Sequence, residues 1–120
     1  MSGLTFFKLS DPGIGETGAP AADRLVEGAP TWTTWQLDQQ SDRNVATGIW
    51  EVTPGAYRSV KGTTWEYCHI LSGVSELIED GQLPRRIQAG DSFVMKPGFT
   101  GVWKVLETTR KVWVTVEQQE

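Results

Sequence analysis

An all-β fold is predicted by three features of this 120-residue chain. Short runs rich in Trp, Val, Ile, Thr and Phe recur from Thr31 onward, turn residues part them every eight to twelve positions, and no stretch sustains a helical period. Strands this short and numerous hide their edges by rolling into a barrel or a two-sheet jelly roll.

In chain order the predicted strands are Thr31 to Leu37, Ala46 to Thr53, Tyr57 to Val60, Trp65 to Leu71, Ser75 to Glu79, Arg85 to Gln88, Ser92 to Met95, Gly101 to Leu106 and Lys111 to Glu117. Turns are expected at Pro54-Gly55, Ser72-Gly73, Glu79-Asp80-Gly81, Ala89-Gly90-Asp91 and Lys96-Pro97-Gly98, where Gly accepts positive φ and Pro opens a turn. The first thirty residues differ. Pro12, Gly13, Gly15, Gly18, Pro20, Gly28 and Pro30 hinder helix and ladder alike, so residues 1–30 read as an N-terminal arm and 31–120 as one β-barrel domain. Within the arm, Leu4, Phe6, Phe7 and Leu9 suit an edge strand whose two Phe rings pack on a neighbouring subunit; a frayed terminus is the alternative.

Length and charge narrow the function. A chain of 120 residues buries one core and has no room for a second. Fifteen acidic against eleven basic side chains, a net charge of −4, removes the electrostatic footprint of a nucleic-acid or anionic-membrane binder. No apolar stretch approaches the roughly 20 residues that cross a bilayer as a helix. The single cysteine, Cys68, forms no internal disulfide, and Met1-Ser2-Gly3-Leu4 does not open a signal peptide, so a cytoplasmic protein is expected.

Alternation along Trp65 to Leu71 puts Glu66, Cys68 and Ile70 on one face and Trp65, Tyr67, His69 and Leu71 on the other. Pattern alone leaves open which face is buried. Two segments carry a resemblance. Trp50-Glu51-Val52-Thr53-Pro54-Gly55 followed by Glu66-Tyr67-Cys68-His69-Ile70-Leu71-Ser72-Gly73 resembles the first cupin motif, with Glu66 ahead of the turn glycine. Gly90-Asp91-Ser92-Phe93-Val94, leading to Gly98 through Glu107 and closed by Arg110-Lys111-Val112-Trp113-Val114, resembles the second. The chain is thereby similar to small single-domain cupins, within them the branch related to the cupin domain of (S)-ureidoglycine aminohydrolase, a domain-of-unknown-function branch. The resemblance implies an RmlC-like double-stranded β-helix, a jelly-roll barrel with its pocket in the barrel mouth.

Metal-binding cupins carry two histidines shortly before the motif glutamate and a third after the glycine of the second motif. Here Val60, Lys61, Gly62 and Thr63 fill the first region and Gly101 the second position, so Glu66 alone remains of the usual four ligands. His69, the only histidine, falls on the opposite face of its strand from Glu66. Cys68 shares the Glu66 face, which leaves a two-ligand remnant as the most that a metal would find. No tightly held metal and no other cofactor is expected.

By the geometry the resemblance implies, Glu66 points inward. Cys68 follows by alternation, Trp103 faces the cavity two residues beyond Gly101, and Trp113 goes inward if Lys111 does. Glu66, Cys68, Trp103, Lys111 and Trp113 are therefore the candidate substrate-binding residues; no catalytic residue is assigned. Each has a structural alternative: a Glu66–Lys111 ion pair that fixes strand register, a core thiol, and indoles that fill the interior. Arg58 and Lys61 either attract an anionic substrate or form a solvated charged face.

Two functional readings stand, with a third behind them. The first is a metal-independent module binding a small polar metabolite, or a weak enzyme acting on one; the second, implied by the resemblance, is a metal-dependent aminohydrolase-like enzyme acting on a ureide or related amine. An interaction scaffold with a plugged barrel is the third. Six tryptophans exceed what one small barrel readily buries, and a homodimer is expected.

Overall fold

Strand-forming residues dominate the computed structural model, which describes residues 3–40, 42 and 44–117. The start at Met1-Ser2 and the close of the 31–120 domain at Gln118-Gln119-Glu120 lie outside the described residues. Among the described residues nine strands follow in order: β1 Glu16–Gly18, β2 Leu25–Gly28, β3 Trp32–Gln40, β4 Val45–Val52, β5 Gly55–Val60, β6 Thr64–Glu79, β7 Arg85–Gln88, β8 Ser92–Met95 and β9 Thr100–Glu117. All pair antiparallel in one sheet that curls on itself, with the order β1-β3-β4-β9-β5-β2 and with β6 joining β7, β8 and β9. No described helix is long and apolar enough to cross a membrane.

The two longest strands hold the architecture together. Residues 100–105 of β9 pair with β5, residues 109–116 pair with β4, and both halves pair with β6. Each of β6 and β9 was expected as two strands. The turn expected at Ser72-Gly73 is instead a bulged corner inside β6, where the register against β9 shifts between Ile70 and Ser75. Gly73 takes φ of 89° there, and a Cβ would run into the backbone of Thr108 and Thr109, so glycine lets β6 bend against β9 without breaking. Behind the bend, the buried Ser75 and Thr109 hydroxyls share a 2.6 Å hydrogen bond and Thr109 also donates to Glu107 O. Local pairing persists because the buried polar groups are satisfied at the corner.

The arm corrects a second expectation. Leu4 through Lys8 form no strand among the described residues; instead β1 and β2, from the later part of the arm, pair with β3 and β5 of the same chain. A turn closed by Asp11 N–H donating to Lys8 O ends the apolar run before it can pair. Beyond it, the Trp35 indole donates to Gly13 O at 2.9 Å, while Arg110 donates to Leu9 O and lies over the Trp35 ring. The segment is thus tied to its own chain's outer surface, with Leu4 70% and Phe6 86% exposed.

The core lies inside the curl. Trp50, Val52, Tyr57, Cys68, Ile70, Met95, Trp103, Val105 and Trp113 form one buried cluster, with Trp32, Leu77, Phe93 and Phe99 packed against it. Burial removes the ambiguity along β6: Glu66, Cys68 and Ile70 face inward, and Trp65, Tyr67, His69 and Leu71 are only half-buried. Large inward side chains come from every long strand, so burial of apolar surface closes the curl.

Candidate functional site

Strand register sets the floor of the site. On β9 the inward positions run through Trp103, Lys111 and Trp113; Lys111 lies opposite Trp50 on β4 and Ile70 on β6, and Trp113 opposite Cys68. From that position the Lys111 ammonium reaches Glu66 Oε2 at 2.7 Å. It also lies 3.4 Å from Cys68 Sγ and over the Trp50 and Trp103 rings, 4.5 and 4.6 Å from their centroids. Two aromatic faces and a carboxylate thus replace the water an ammonium would otherwise hold.

Lys61, just past β5, donates to Glu66 Oε1 at 2.6 Å, so one carboxylate carries two ammoniums. The Glu66 and Lys111 side chains are 8% and 6% exposed, that of Lys61 17%. Burial pushes the Glu66 carboxyl upward, but the charges of Lys111 and Lys61 outweigh it and hold the group down at about 2. Burial likewise opposes the charge of Lys111; the ionised Glu66 carboxylate 2.7 Å away favours it, and the ammonium persists above the ordinary lysine range. Tyr57, also raised chiefly by burial, stays a neutral phenol at physiological pH.

Cys68 behaves as part of the core. Its thiol donates to Glu66 Oε2 at 3.3 Å, and burial pushes its pKa to about 12, which removes the thiolate a nucleophile needs. Native protein at pH 8 is expected to resist labelling by a disulfide reagent such as DTNB and to release one thiol equivalent on denaturation. Rapid native labelling would contradict this burial.

Above the floor opens a cavity of about 740 Å³, lined among others by Trp32, Thr34, Gln36, Trp50, Tyr57, Ser59, Lys61, Glu66, Lys111, Trp113 and Thr115. Three of the five sequence-predicted site residues, Glu66, Lys111 and Trp113, line it. Cys68 and Trp103 lie beneath, Cys68 against the ion pair and Trp103 under the ammonium. Of the two cations read as either substrate-attracting or solvated, Lys61 joins the floor, whereas Arg58 is held by Asp80 through two hydrogen bonds at 2.8 and 3.2 Å. His69 faces away from the floor and bonds Ser92 Oγ.

The sequence reading did not place Tyr57 or the wall of Trp32, Thr34 and Gln36 in the site. Period-two alternation along β3 was the available signal, since these three residues share one face. Trp32, Trp50 and Tyr57 form a mutual aromatic group with ring centroids 5.4 to 6.4 Å apart.

The donor set does not fit the divalent metal of metal-binding cupins. Both Glu66 oxygens are taken by ammoniums, the Cys68 thiol stays protonated, and no group of three His, Cys, Asp or Glu side chains converges among the described residues. At Gly101, a Cβ would sit 2.6 Å from Ile78 O and 2.9 Å from the Phe99 ring, so a histidine there has no room without moving backbone.

Curled antiparallel sheet and barrel-mouth cavity together define a cupin. The chain belongs to the EutQ-like cupin domain family, whose model matches residues 39–113. Among solved structures it is similar to the Clostridium difficile EutQ protein, with a TM-score of 0.64 and 16% identity over 75% of this chain and 65% of that one. A DUF861-family protein of unknown function from Pseudomonas syringae pv. tomato gives a TM-score of 0.75 and 16% identity over 88% of this chain and 46% of its own. A DUF861-family protein from Thermotoga maritima is 32% identical over 54% of this chain and 73% of its own, with a TM-score of 0.51. The chain thus spans under two-thirds of the length of the first two. No curated protein matches the sequence.

Proposed function

We propose that this chain is a small-molecule-binding cupin that takes a small polar metabolite in its barrel mouth without a tightly held metal. The observation that carries the reading is the open cavity of about 740 Å³ with a buried, charged and hydrogen-bonded floor under aromatic walls. Concave, largely preformed sites with a few convergent polar groups are the usual form of a ligand pocket. An interaction scaffold plugged by indoles would not keep that hollow. Trp103 fills the space below the floor and leaves the mouth open. The metal-dependent aminohydrolase alternative needs donors besides Glu66, and the neighbouring side chains do not supply them.

The test pairs elemental analysis of protein purified without chelator with a thermal-shift screen of small acids, ureides and sugars. The proposal expects no stoichiometric Mn, Fe, Ni or Zn and at least one stabilising compound. Stoichiometric metal would favour the aminohydrolase reading instead. The same proposal places the chain in the cytoplasm, where the buried Cys68 stays reduced, and as a homodimer that covers some of the apolar surface left by Leu4 and Phe6. A light-scattering mass of one chain at micromolar concentration would remove the dimer.

A further inference from the structure

The charge of the cavity differs in sign from that of the chain. Its lining includes four cationic side chains, Arg24, Arg58, Lys61 and Lys111, and two anionic ones, Asp23 and Glu66, in a protein whose net charge is −4. Arg58 is neutralised from outside the lining by Asp80. Asp23 and Arg24, both exposed, carry opposite charges and leave the sum unchanged. What remains is the floor, where two ammoniums share one carboxylate and one positive charge has no counter-charge in the cavity.

Accessibility shows which ammonium meets a ligand. Lys111 is enclosed by Glu66, Cys68 and the two indole faces, and its protons are spent on them. Lys61 donates to Glu66 Oε1 from a more open position, and an ammonium has two further protons to offer. Aromatic walls often receive cations. Here the Trp50 face already holds the chain's own cation, and an incoming amine would meet two like charges in a partly desolvated space.

We infer that the occupant is a small monoanion, a carboxylate on a flat or apolar body, with its charge held by Lys61 and its body against Trp32, Trp50 and Tyr57. This rests on the small-molecule reading above and narrows it to a charge class. Three probes with one ring and different charges test it: benzoate, benzamide and benzylamine, titrated against the full chain and followed by tryptophan fluorescence and calorimetry.

Benzoate is expected to bind at least about tenfold more tightly than benzamide, as one charge-assisted hydrogen bond in a sheltered site would give, with benzylamine weakest. Lys61→Met should erase the benzoate preference, and Lys61→Arg, which keeps the charge and checks that the fold tolerates change there, should retain it. Equal or tighter binding of benzamide or benzylamine would overturn the charge class and leave the small-molecule reading standing. A benzoate preference untouched by Lys61→Met would overturn the assignment to Lys61. No response to any of the three would overturn the inference, and the screen of small acids, ureides and sugars then decides the small-molecule reading separately.

Discussion

Lys111→Met is expected to lower the unfolding free energy by about 3 kcal/mol, the low end of the range for breaking a buried ion pair. Methionine roughly fills the volume of the lysine stem, so the loss is electrostatic more than steric. Glu66 Oε2 loses its 2.7 Å donor, and the Trp50 and Trp103 faces lose the cation between them. Lys61 still covers Oε1, which keeps the effect from the top of the range. For a domain of this size the melting temperature should fall by roughly 10 °C. A double variant, Lys111→Met with Glu66→Met, should recover much of that loss, because removing both charges also removes their desolvation cost. Chemical denaturation of the two variants decides the matter. A single variant as stable as the parent would mean that solvent reaches this floor and that the pair is not buried in solution.

Part of this floor was legible in the sequence. Alternation is strict along a strand, so once Glu66 is inward, Cys68 must follow, and Lys111 brings Trp113 with it. Those placements hold in the structure. Alternation gives direction and not depth: Cys68 and Trp103 point inward yet stop beneath the cavity, because Lys111 lies above Trp103 and Glu66 caps the thiol. Lys61 follows β5 and precedes the Gly62 turn, where the period of two no longer applies, so nothing local showed that its ammonium folds back onto Glu66. The strands β6 and β9 were each read as two because a Gly or a polar run usually ends a strand. Here Gly73 and Thr109 serve a bend that only the packing of two long strands against each other requires. In the arm, composition marked irregularity correctly for Pro12-Gly13, but pairing of β1 and β2 depends on distant partners in β3 and β5. Long-range pairing of that kind is set by tertiary context.

Acid should expose the same floor from the other direction. Glu66 ionises at about 2 in the folded chain, against 4.5 for an unperturbed glutamate, so its carboxylate favours the folded state by about 3 kcal/mol at neutral pH. Because the folded value is the lower one, this contribution is complete above pH of about 4.5 and is lost progressively as the pH falls toward about 2. Lys111 has the opposite sign: its folded value is raised, so its contribution is complete below the ordinary lysine value and fades only as alkaline pH passes through the higher one. Urea denaturation at intervals from pH 7 to pH 2.5 should therefore show the parent losing stability faster than the Lys111→Met, Glu66→Met double variant, by about 3 kcal/mol across the acid limb. Carboxylates elsewhere, including the exposed Asp80 held low by Arg58 and Thr100, are common to both proteins and cancel in the difference. Parallel curves would show that Glu66 gains no charge stabilisation on folding, and two ammoniums gathered on one carboxylate would then have no energetic basis.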